Sequence, residues 1–249
     1  MKINKVINLL EEQYPANGAD QEDFIGLQVG NEESDITGIL VTLDVTLEVI
    51  NQAIDSNSNL IISHHPLVFD ELDSKNIDKY TMAKIEMLNK LNIAVFVIHT
   101  NADWAPTSIA YNQAIVLGLK SVEQGNLNEY VVGDLVKELA SIELINMIKE
   151  TFELDYDIRT NLLGNEKVNS VAIASGAAGS LVSAEYKQDV LIVGEMKHHQ
   201  WVYANEQGKQ VIEIGHSTEG IFKDMIQVFL EKEGIEAEVS KEQNEFKTI

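Results

Sequence analysis

Short apolar segments alternate along the chain with longer segments in which apolar residues recur with helical period. The apolar segments have the length of strands and lie at residues 36–43, 60–62, 93–98, 168–174, 190–193 and 210–214. Helices are predicted near the amino terminus, from the N-cap Thr46 to about residue 56, at residues 79–91, in a short segment after Gly179, from about Lys197, and to about residue 232. This alternation is typical of an α/β protein.

The segment of residues 125–169 has weaker hydrophobic periodicity and several polar breaks. We interpret it as the start of a second lobe, joined to the first near residues 118–126. The sequence contains no low-complexity segment, charge block or evident repeat. A chain of 249 residues is long enough for two modest domains.

Composition and charge narrow the possible partners. The chain has 40 Asp and Glu against 18 Lys and Arg, a net charge of −22. This charge argues against binding to nucleic acids or anionic membranes and favours binding of cations. No cysteine is present, which excludes disulfides, thiolate zinc sites, iron–sulfur clusters and a cysteine nucleophile.

The amino-terminal segment is amphipathic, unlike the apolar core of a signal peptide. No uninterrupted apolar run approaches the roughly 18 residues that span a bilayer. We therefore expect a cytoplasmic protein that does not contact membranes.

All six histidines lie at or soon after the end of a predicted strand. In open α/β sheets, ligands and catalytic groups collect at the carboxyl ends of strands. The pattern therefore favours a metal site. The six are His64, His65, His99, His198, His199 and His216.

The pair His64-His65 is followed by Pro66. Neighbouring side chains in a regular strand point to opposite faces, but at a strand end, with Pro66 restricting His65, both imidazoles could converge on one cavity. The alternative is one histidine in the core and one in solvent.

Asp103 follows another apolar strand and is either a metal ligand or the N-cap of the next helix. Pro106 and Thr107 are better start signals for that helix, which favours the ligand. His99 could itself be a ligand, but we favour a role in orienting the carboxylate of Asp103.

His216 and Glu219 are three residues apart, which places both on one face of a helical first turn. Glu219 could instead only stabilise the helix dipole. Together with the other two groups, the set contains imidazoles and carboxylates. Such a mixed set suits Zn, Fe, Mn, Co or Ni better than Mg or Ca.

The segment from Glu195 to His199 is a further candidate. Glu195 and His199, four residues apart, could bind a cation, although Lys197 suits an anionic substrate instead. We favour a role for Glu195 and His198 in lining the site, with simple exposure of the histidines as the alternative. The loop of residues 176–179 could cradle phosphate, but a tight turn is the preferred interpretation.

Five short motifs in this order resemble the Nif-three-like dinuclear-metal-centre family, whose members carry the name GTP cyclohydrolase I type 2 homologue. The resemblance covers nearly the whole chain and matches the short form of the family, without an inserted domain. The motifs are GLQVG (26–30), LDVT (43–46), IISHHPL (61–67), HTNAD (99–103) and GHSTE (215–219).

The resemblance implies two interleaved α/β lobes, residues 1–124 with 221–249 and residues 125–220, and two divalent metal ions in the cleft between them. It also implies a ring-shaped homohexamer. Some family members place the glutamate four residues after the histidine, whereas the spacing here is three. The implied metal ligands are His64, His65, Asp103, His216 and Glu219.

Two functions follow from these interpretations. The first is a metal-dependent hydrolase acting on a small anionic or heterocyclic substrate, with Glu195 or His198 transferring protons. The second is a non-enzymatic role as a metal-binding scaffold, metal chaperone or regulatory partner. The position of residues 195–199 relative to the metal ligands should discriminate between them.

Overall fold

The computed structural model describes residues 1–70 and 76–241. The chain divides into two compact units, and the described residues of the first are 1–70, 76–105 and 222–241. The second unit comprises residues 106–221 and is therefore inserted into the sequence of the first. The predicted first lobe extends to residue 249, and its residues 242–249 lie outside the described residues.

Each unit contains a sheet flanked by helices, which confirms the predicted α/β class. Within the described ranges, no helix is long and apolar enough to cross a membrane. The elements are α1 (Ile3–Gln13), β1 (Gly26–Val29), β2 (Ile39–Thr42), α2 (Leu47–Asp55), β3 (Leu60–Ser63), α3 (Lys79–Leu91), β4 (Ala94–Val97), α4 (Thr100–Asp103), α5 (Ile109–Val116), β5 (Lys120–Gln124), β6 (Val131–Ala140), α6 (Ser141–Thr151), β7 (Arg159–Thr160), β8 (Lys167–Ala174), β9 (Val190–Val193), α7 (His198–Glu206), β10 (Val211–Glu213), α8 (Ile221–Lys232) and β11 (Glu238–Val239), with 3₁₀ helices at Ala16–Gly18, Ala178–Ser183 and His216–Gly220.

The sheet of the first unit has the strand order β1-β4-β3-β2-β11. Strands β11, β2, β3 and β4 run parallel, and β1 pairs antiparallel with β4. Thr42, Ser63 and Val97, the last residues of β2, β3 and β4, lie in register across the sheet. All residues of these three strands are buried, so their carboxyl ends emerge side by side from the apolar core.

The predicted helix limits agree closely with the structure in this unit. Thr46 caps α2 by accepting a hydrogen bond from the Val49 amide at 3.1 Å. Helix α3 covers the predicted residues 79–91, between the cap Asp78 and Asn92, which adopts the left-handed conformation.

The sheet of the second unit has the strand order β5-β6-β8-β9-β10-β7. Strands β8, β9 and β10 run parallel, and the other pairings are antiparallel. The three apolar segments predicted in this part of the chain, residues 168–174, 190–193 and 210–214, correspond to these three parallel strands. Strands β5 and β6 were not predicted because most of their residues are exposed or half-buried, which removes the apolar signal.

The helix after Asp103 begins later than predicted. Asp103 is the last residue of the short helix α4, and α5 starts at Ile109 with Ser108 as its cap. The Ser108 hydroxyl accepts a hydrogen bond from the Tyr111 amide at 3.1 Å. The expectation of a start at Pro106 and Thr107 is wrong, because the Ser108 side chain supplies the capping acceptor.

Glu166 holds the start of α6 in the second unit. Its carboxylate accepts hydrogen bonds from the Ser141 hydroxyl at 2.6 Å, the Leu163 amide at 2.7 Å and the Gly164 amide at 3.0 Å. The hydrogen bonds from Ser141 and then Leu163 lower the pKa of Glu166 to about 2, because each stabilises the ionised form.

We expect Glu166→Gln to destabilise the protein in a pH-dependent manner. The folded-state pKa lies below the unfolded value, so the contribution of Glu166 is complete above pH about 4.5 and is lost as pH falls towards about 2. Urea unfolding midpoints of the wild type and the variant should therefore differ more at pH 7 than at pH 3. The exposed Glu150→Gln on the same helix serves as the control, and a difference that does not change with pH would contradict the assignment.

Candidate metal centre

The polar residues of the first unit gather where its parallel strands end. His64 and His65 directly follow β3, Asp44 is the second residue after β2, and His99 is the second residue after β4. Because the three strands are adjacent and parallel, these residues come to the same edge of the sheet. The predicted positions of His64, His65 and His99 at strand ends are confirmed.

The three imidazoles of the first unit converge. One ring nitrogen from each of His64, His65 and His99 lies within 4.8 Å of those of the other two. The ring centroids are 4.9 Å apart for His64 and His65, 5.1 Å for His64 and His99, and 5.8 Å for His65 and His99. His64 is fully buried, and its ring also packs at 4.9 Å from that of Phe222. The two adjacent histidines therefore face each other.

An oxygen atom holds the Nδ1 atom of each ring. Nδ1 of His64 lies 3.0 Å from the Ile98 carbonyl, that of His65 lies 2.8 Å from Asp44 Oδ1, and that of His99 lies 2.8 Å from Asp23 Oδ1. A carbonyl or an ionised carboxylate can only accept, so Nδ1 carries the proton in each pair. In the neutral rings the lone pair then lies on Nε2. This is the arrangement that metal-binding histidines adopt.

Asp23 is half-buried as a residue, and its side chain is only 5% exposed beside His99. Burial would raise its pKa, but hydrogen bonds from the His99 ring and from the hydroxyl and amide of Thr100 hold the pKa well below its usual range. The Thr100 amide donates to Asp23 Oδ2 at 3.0 Å. Asp23 therefore stays ionised at neutral pH and fixes the orientation of His99.

Asp103 lies at the carboxyl end of α4 and approaches the imidazoles. Its Oδ1 atom lies 3.8 Å from His64 Nε2, and its backbone amide donates to the His99 carbonyl at 3.2 Å. The ring of His99, which we expected to orient Asp103, is instead bonded through Nδ1 to Asp23. One carboxylate oxygen of Asp103 thus lies close to the ring nitrogen at which His64 would bind a metal.

In the second unit, His216 and Glu219 lie together in the 3₁₀ helix that follows β10. Side chains three residues apart are eclipsed in a 3₁₀ helix, and His216 Nε2 lies 2.9 Å from Glu219 Oε2. The sequence predicts a first helical turn here, and the structure has a 3₁₀ helix instead of an α-helix. Both conformations bring His216 and Glu219 together. Glu219 is buried, and His216 is half-buried.

Glu195 contacts the opposite side of the same histidine. It follows β9, and its Oε2 atom lies 3.3 Å from His216 Nδ1. The side chain of Glu195 is half exposed. His216 therefore lies between two carboxylates, one buried and one accessible to solvent.

His198 and His199 are exposed at the start of α7, which begins at His198. Glu195 precedes this helix, so its separation of four residues from His199 does not place the two side chains on one helical face. Among the described residues, the groups of three or more clustered donor atoms include neither His198 nor His199.

The turn at Gly176 makes room for Glu219. Gly176 has a φ of +59°, and a Cβ atom there would lie 2.3 Å from Glu219 Oε1. A carboxylate this close would repel a phosphate group. The geometry therefore argues against phosphate binding by the loop of residues 176–179, which the sequence analysis gives as an alternative. The preferred interpretation as a tight turn agrees with this geometry.

Two of these residues were not identified as site residues from the sequence. Asp44 follows a buried strand, so the rule that identified the histidines could have found it. Asp23 lies in the polar segment between α1 and β1, which has no periodic pattern. No sequence signal indicates its contact with His99.

The fold and these residues define an α/β protein that carries groups of imidazoles and carboxylates at its strand ends. The family model of Duf34/NIF3 (NGG1p interacting factor 3) matches residues 1–245. The chain belongs to this family, and the resemblance noted from its motifs is confirmed.

Similar proteins agree with the family. A GTP cyclohydrolase 1 type 2 homolog of Clostridium perfringens is 31% identical over 227 residues, 87% of this chain and 86% of that protein. One of Ureaplasma parvum is 30% identical over 233 residues, 91% and 88% of the two chains. The crystal structure of a hypothetical protein of Staphylococcus aureus has a TM-score of 0.92 at 26% identity and covers 100% of this chain and 99% of that chain.

We expect Gly176→Ala to destabilise the protein more than Gly208→Ala. The two glycines have similar positive φ values, +59° and +64°, but a Cβ atom at Gly208 meets nothing within 4 Å. Gly208→Ala should cost about 1 kcal/mol for the left-handed backbone. Gly176→Ala should cost a further 1–3 kcal/mol or so, because the buried carboxylate of Glu219 must move away from His216. Chemical unfolding measures both, and equal losses would contradict this packing.

Proposed function

We propose that the protein binds two divalent metal ions and hydrolyses a small anionic or heterocyclic substrate. The observation that carries the proposal is the convergence of three imidazoles whose Nδ1 atoms are each paired with an oxygen acceptor. The proposed ligands are His64, His65 and Asp103 from the first unit and His216 and Glu219 from the second.

The chemistry of the donor atoms fits transition metals. Imidazole nitrogens mixed with carboxylate oxygens suit Zn, Fe, Mn, Co or Ni, whereas Mg and Ca prefer oxygen alone. The proposed ligand His65 is held by the carboxylate of Asp44, which raises the basicity of an imidazole as a ligand. The net charge of −22 also favours cations over any free anion.

Bound metal ions would supply Lewis acidity, which lowers the pKa of water and stabilises the negative charge that develops during its attack. Of the residues proposed for proton transfer, Glu195 is the better placed. Its carboxylate is half exposed and lies beside His216, so it can exchange a proton with both solvent and substrate. His198 is the second candidate and is exposed at the start of α7.

The names of the similar proteins supply the first substrate class to assay. The homologues from Clostridium perfringens and Ureaplasma parvum are named for a cyclohydrolase, a reaction in which water opens a heterocyclic ring. Ring opening, phosphoester hydrolysis and amide hydrolysis all use an activated water and a residue that transfers protons. The substrate panel should therefore contain all three classes.

A second candidate function is a non-enzymatic metal-binding scaffold, metal chaperone or regulatory partner. The solvent exposure of His198 and His199 favours it, because a scaffold needs no residue that transfers protons at the metal ions. The homohexamer that the resemblance implies stays a prediction, and light scattering would measure it.

The two candidates separate when metal content and turnover are measured on the same sample. Protein purified without chelator or affinity tag should contain about two divalent ions per chain by elemental analysis, the number that the resemblance implies. Turnover of a panel substrate that chelation abolishes would support the hydrolase. Bound metal without turnover would favour the scaffold or chaperone, and no metal after reconstitution would contradict both.

Single variants test the ligand assignment. We expect Asp103→Ala to lose metal, since a proposed ligand is removed. We expect His99→Ala to weaken metal binding by about 10- to 100-fold without abolishing it, because the variant removes an imidazole that packs beside the proposed ligands His64 and His65. The exposed His199→Ala is the matched control and should retain full metal content. Equal loss in Asp103→Ala and His99→Ala would make His99 a ligand and change the proposed set.

A further inference from the structure

Arg159 is the sole arginine in a sequence that contains 18 Lys and Arg in total. It lies in β7 and donates to Glu213 Oε1 through both Nε, at 2.8 Å, and Nη2. Glu213 is the last residue of β10 and is 7% exposed. A planar guanidinium can direct two donors at one oxygen atom, whereas a lysine ammonium acts as a flexible point charge.

The second oxygen of the same carboxylate holds a neighbouring loop. Glu213 Oε2 accepts a hydrogen bond from the Met196 amide at 3.1 Å. Because Arg159 contacts Oε1, Oε2 remains directed at the loop. The carboxylate thus links the single arginine to the backbone that follows β9.

This loop, residues 194–196, is fixed at three successive backbone groups. The Gly215 amide donates to the Gly194 carbonyl at 2.9 Å, and the Glu195 amide donates to the Gly176 carbonyl at 2.8 Å. The Met196 amide bond to Glu213 is the third, and the only one of the three that uses a side chain. Together they place Glu195 so that its Oε2 atom reaches His216 Nδ1 at 3.3 Å.

We propose that Arg159 and Glu213 are positioning residues that hold Glu195 against His216 and so increase the affinity of His216 for a metal ion. The proposal rests on the proposed function, since it takes His216 to be a ligand. A carboxylate bonded to Nδ1 orients a histidine ligand and raises its basicity. The Arg159 side chain is exposed and that of Glu213 is buried. Stability alone gives little reason for this contact, because an ion pair with a solvent-exposed partner contributes little to the free energy of unfolding.

The test measures zinc affinity by titrating zinc into the full metal-free chain. The wild type is compared with Arg159→Lys, Glu195→Gln and the double variant. Each single variant should weaken zinc binding by about tenfold, the lower end of the range for residues that orient metal ligands. Because both changes act on the same contact, the double variant should bind zinc no more weakly than Glu195→Gln alone.

Lys167→Gln is the matched control. Lys167 of β8 pairs with Glu138 of the adjacent strand β6 at 2.7 Å, so this variant also removes an ion pair between neighbouring strands of the same sheet. Its zinc affinity should equal that of the wild type. Additive losses in the double variant, or an unchanged affinity in Arg159→Lys despite lower stability, would overturn the proposal.

Amide hydrogen exchange at Met196 in the metal-free chain separates this proposal from the proposed function. Exchange should be at least severalfold faster in Arg159→Lys than in the wild type and in Lys167→Gln, because the acceptor of the Met196 amide loses its fixed orientation. If the wild type binds no zinc, the proposed function fails. If zinc binds but Met196 exchange is unchanged in Arg159→Lys, only the positioning role fails.

Discussion

The candidate metal centre depends on the hydrogen bonds between Nδ1 of His64, His65 and His99 and three oxygen atoms. The Ile98 carbonyl, Asp44 and Asp23 each hold one ring of the first unit. These bonds select the tautomer with the lone pair on Nε2 and leave the rings little freedom to turn. Two of them follow from the parallel order of β2, β3 and β4: His64 and Ile98 are the first residues after β3 and β4, and His65 and Asp44 are the second residues after β3 and β2. The third bond joins His99 to Asp23, which precedes β1. Rings held in this way would need little further ordering to bind an ion, which would lower the entropy cost of binding.

In the second unit, a loop and a 3₁₀ helix, rather than the ends of adjacent strands, hold a histidine beside carboxylates. His216 receives a carboxylate on each ring nitrogen, from Glu195 and from Glu219. The 3₁₀ turn brings Glu219 to one side, and the loop after β9 brings Glu195 to the other. Gly176 contributes by the absence of a side chain, since a Cβ atom there would occupy the position of the Glu219 carboxylate. The positions of these imidazole and carboxylate groups are therefore fixed by backbone geometry and close packing.

Much of the fold can be predicted from the sequence, because buried parallel strands have nearly continuous apolar sequences. The segments at β3, β4, β9 and β10 are of this kind, and the histidines are conspicuous because they follow such runs. Strands β5 and β6 lack the signal because their side chains are mostly exposed. The spacing of His216 and Glu219 predicts their contact but does not distinguish an α-helical turn from a 3₁₀ turn, since both bring residues i and i+3 together. Asp23 pairs with His99 across 76 residues of sequence, and only the folded chain shows such a contact.

We propose that the imidazoles and carboxylates at these strand ends hold divalent metal ions. Anomalous X-ray diffraction from crystals of zinc-loaded protein, recorded on both sides of the zinc absorption edge, tests this proposal most directly, because the difference identifies the element and its position together. We expect zinc peaks at bonding distance, roughly 2.0–2.2 Å, from imidazole nitrogens and carboxylate oxygens of His64, His65, Asp103, His216 and Glu219. Zinc peaks only at surface carboxylates, with none near His64 and His65, would contradict it.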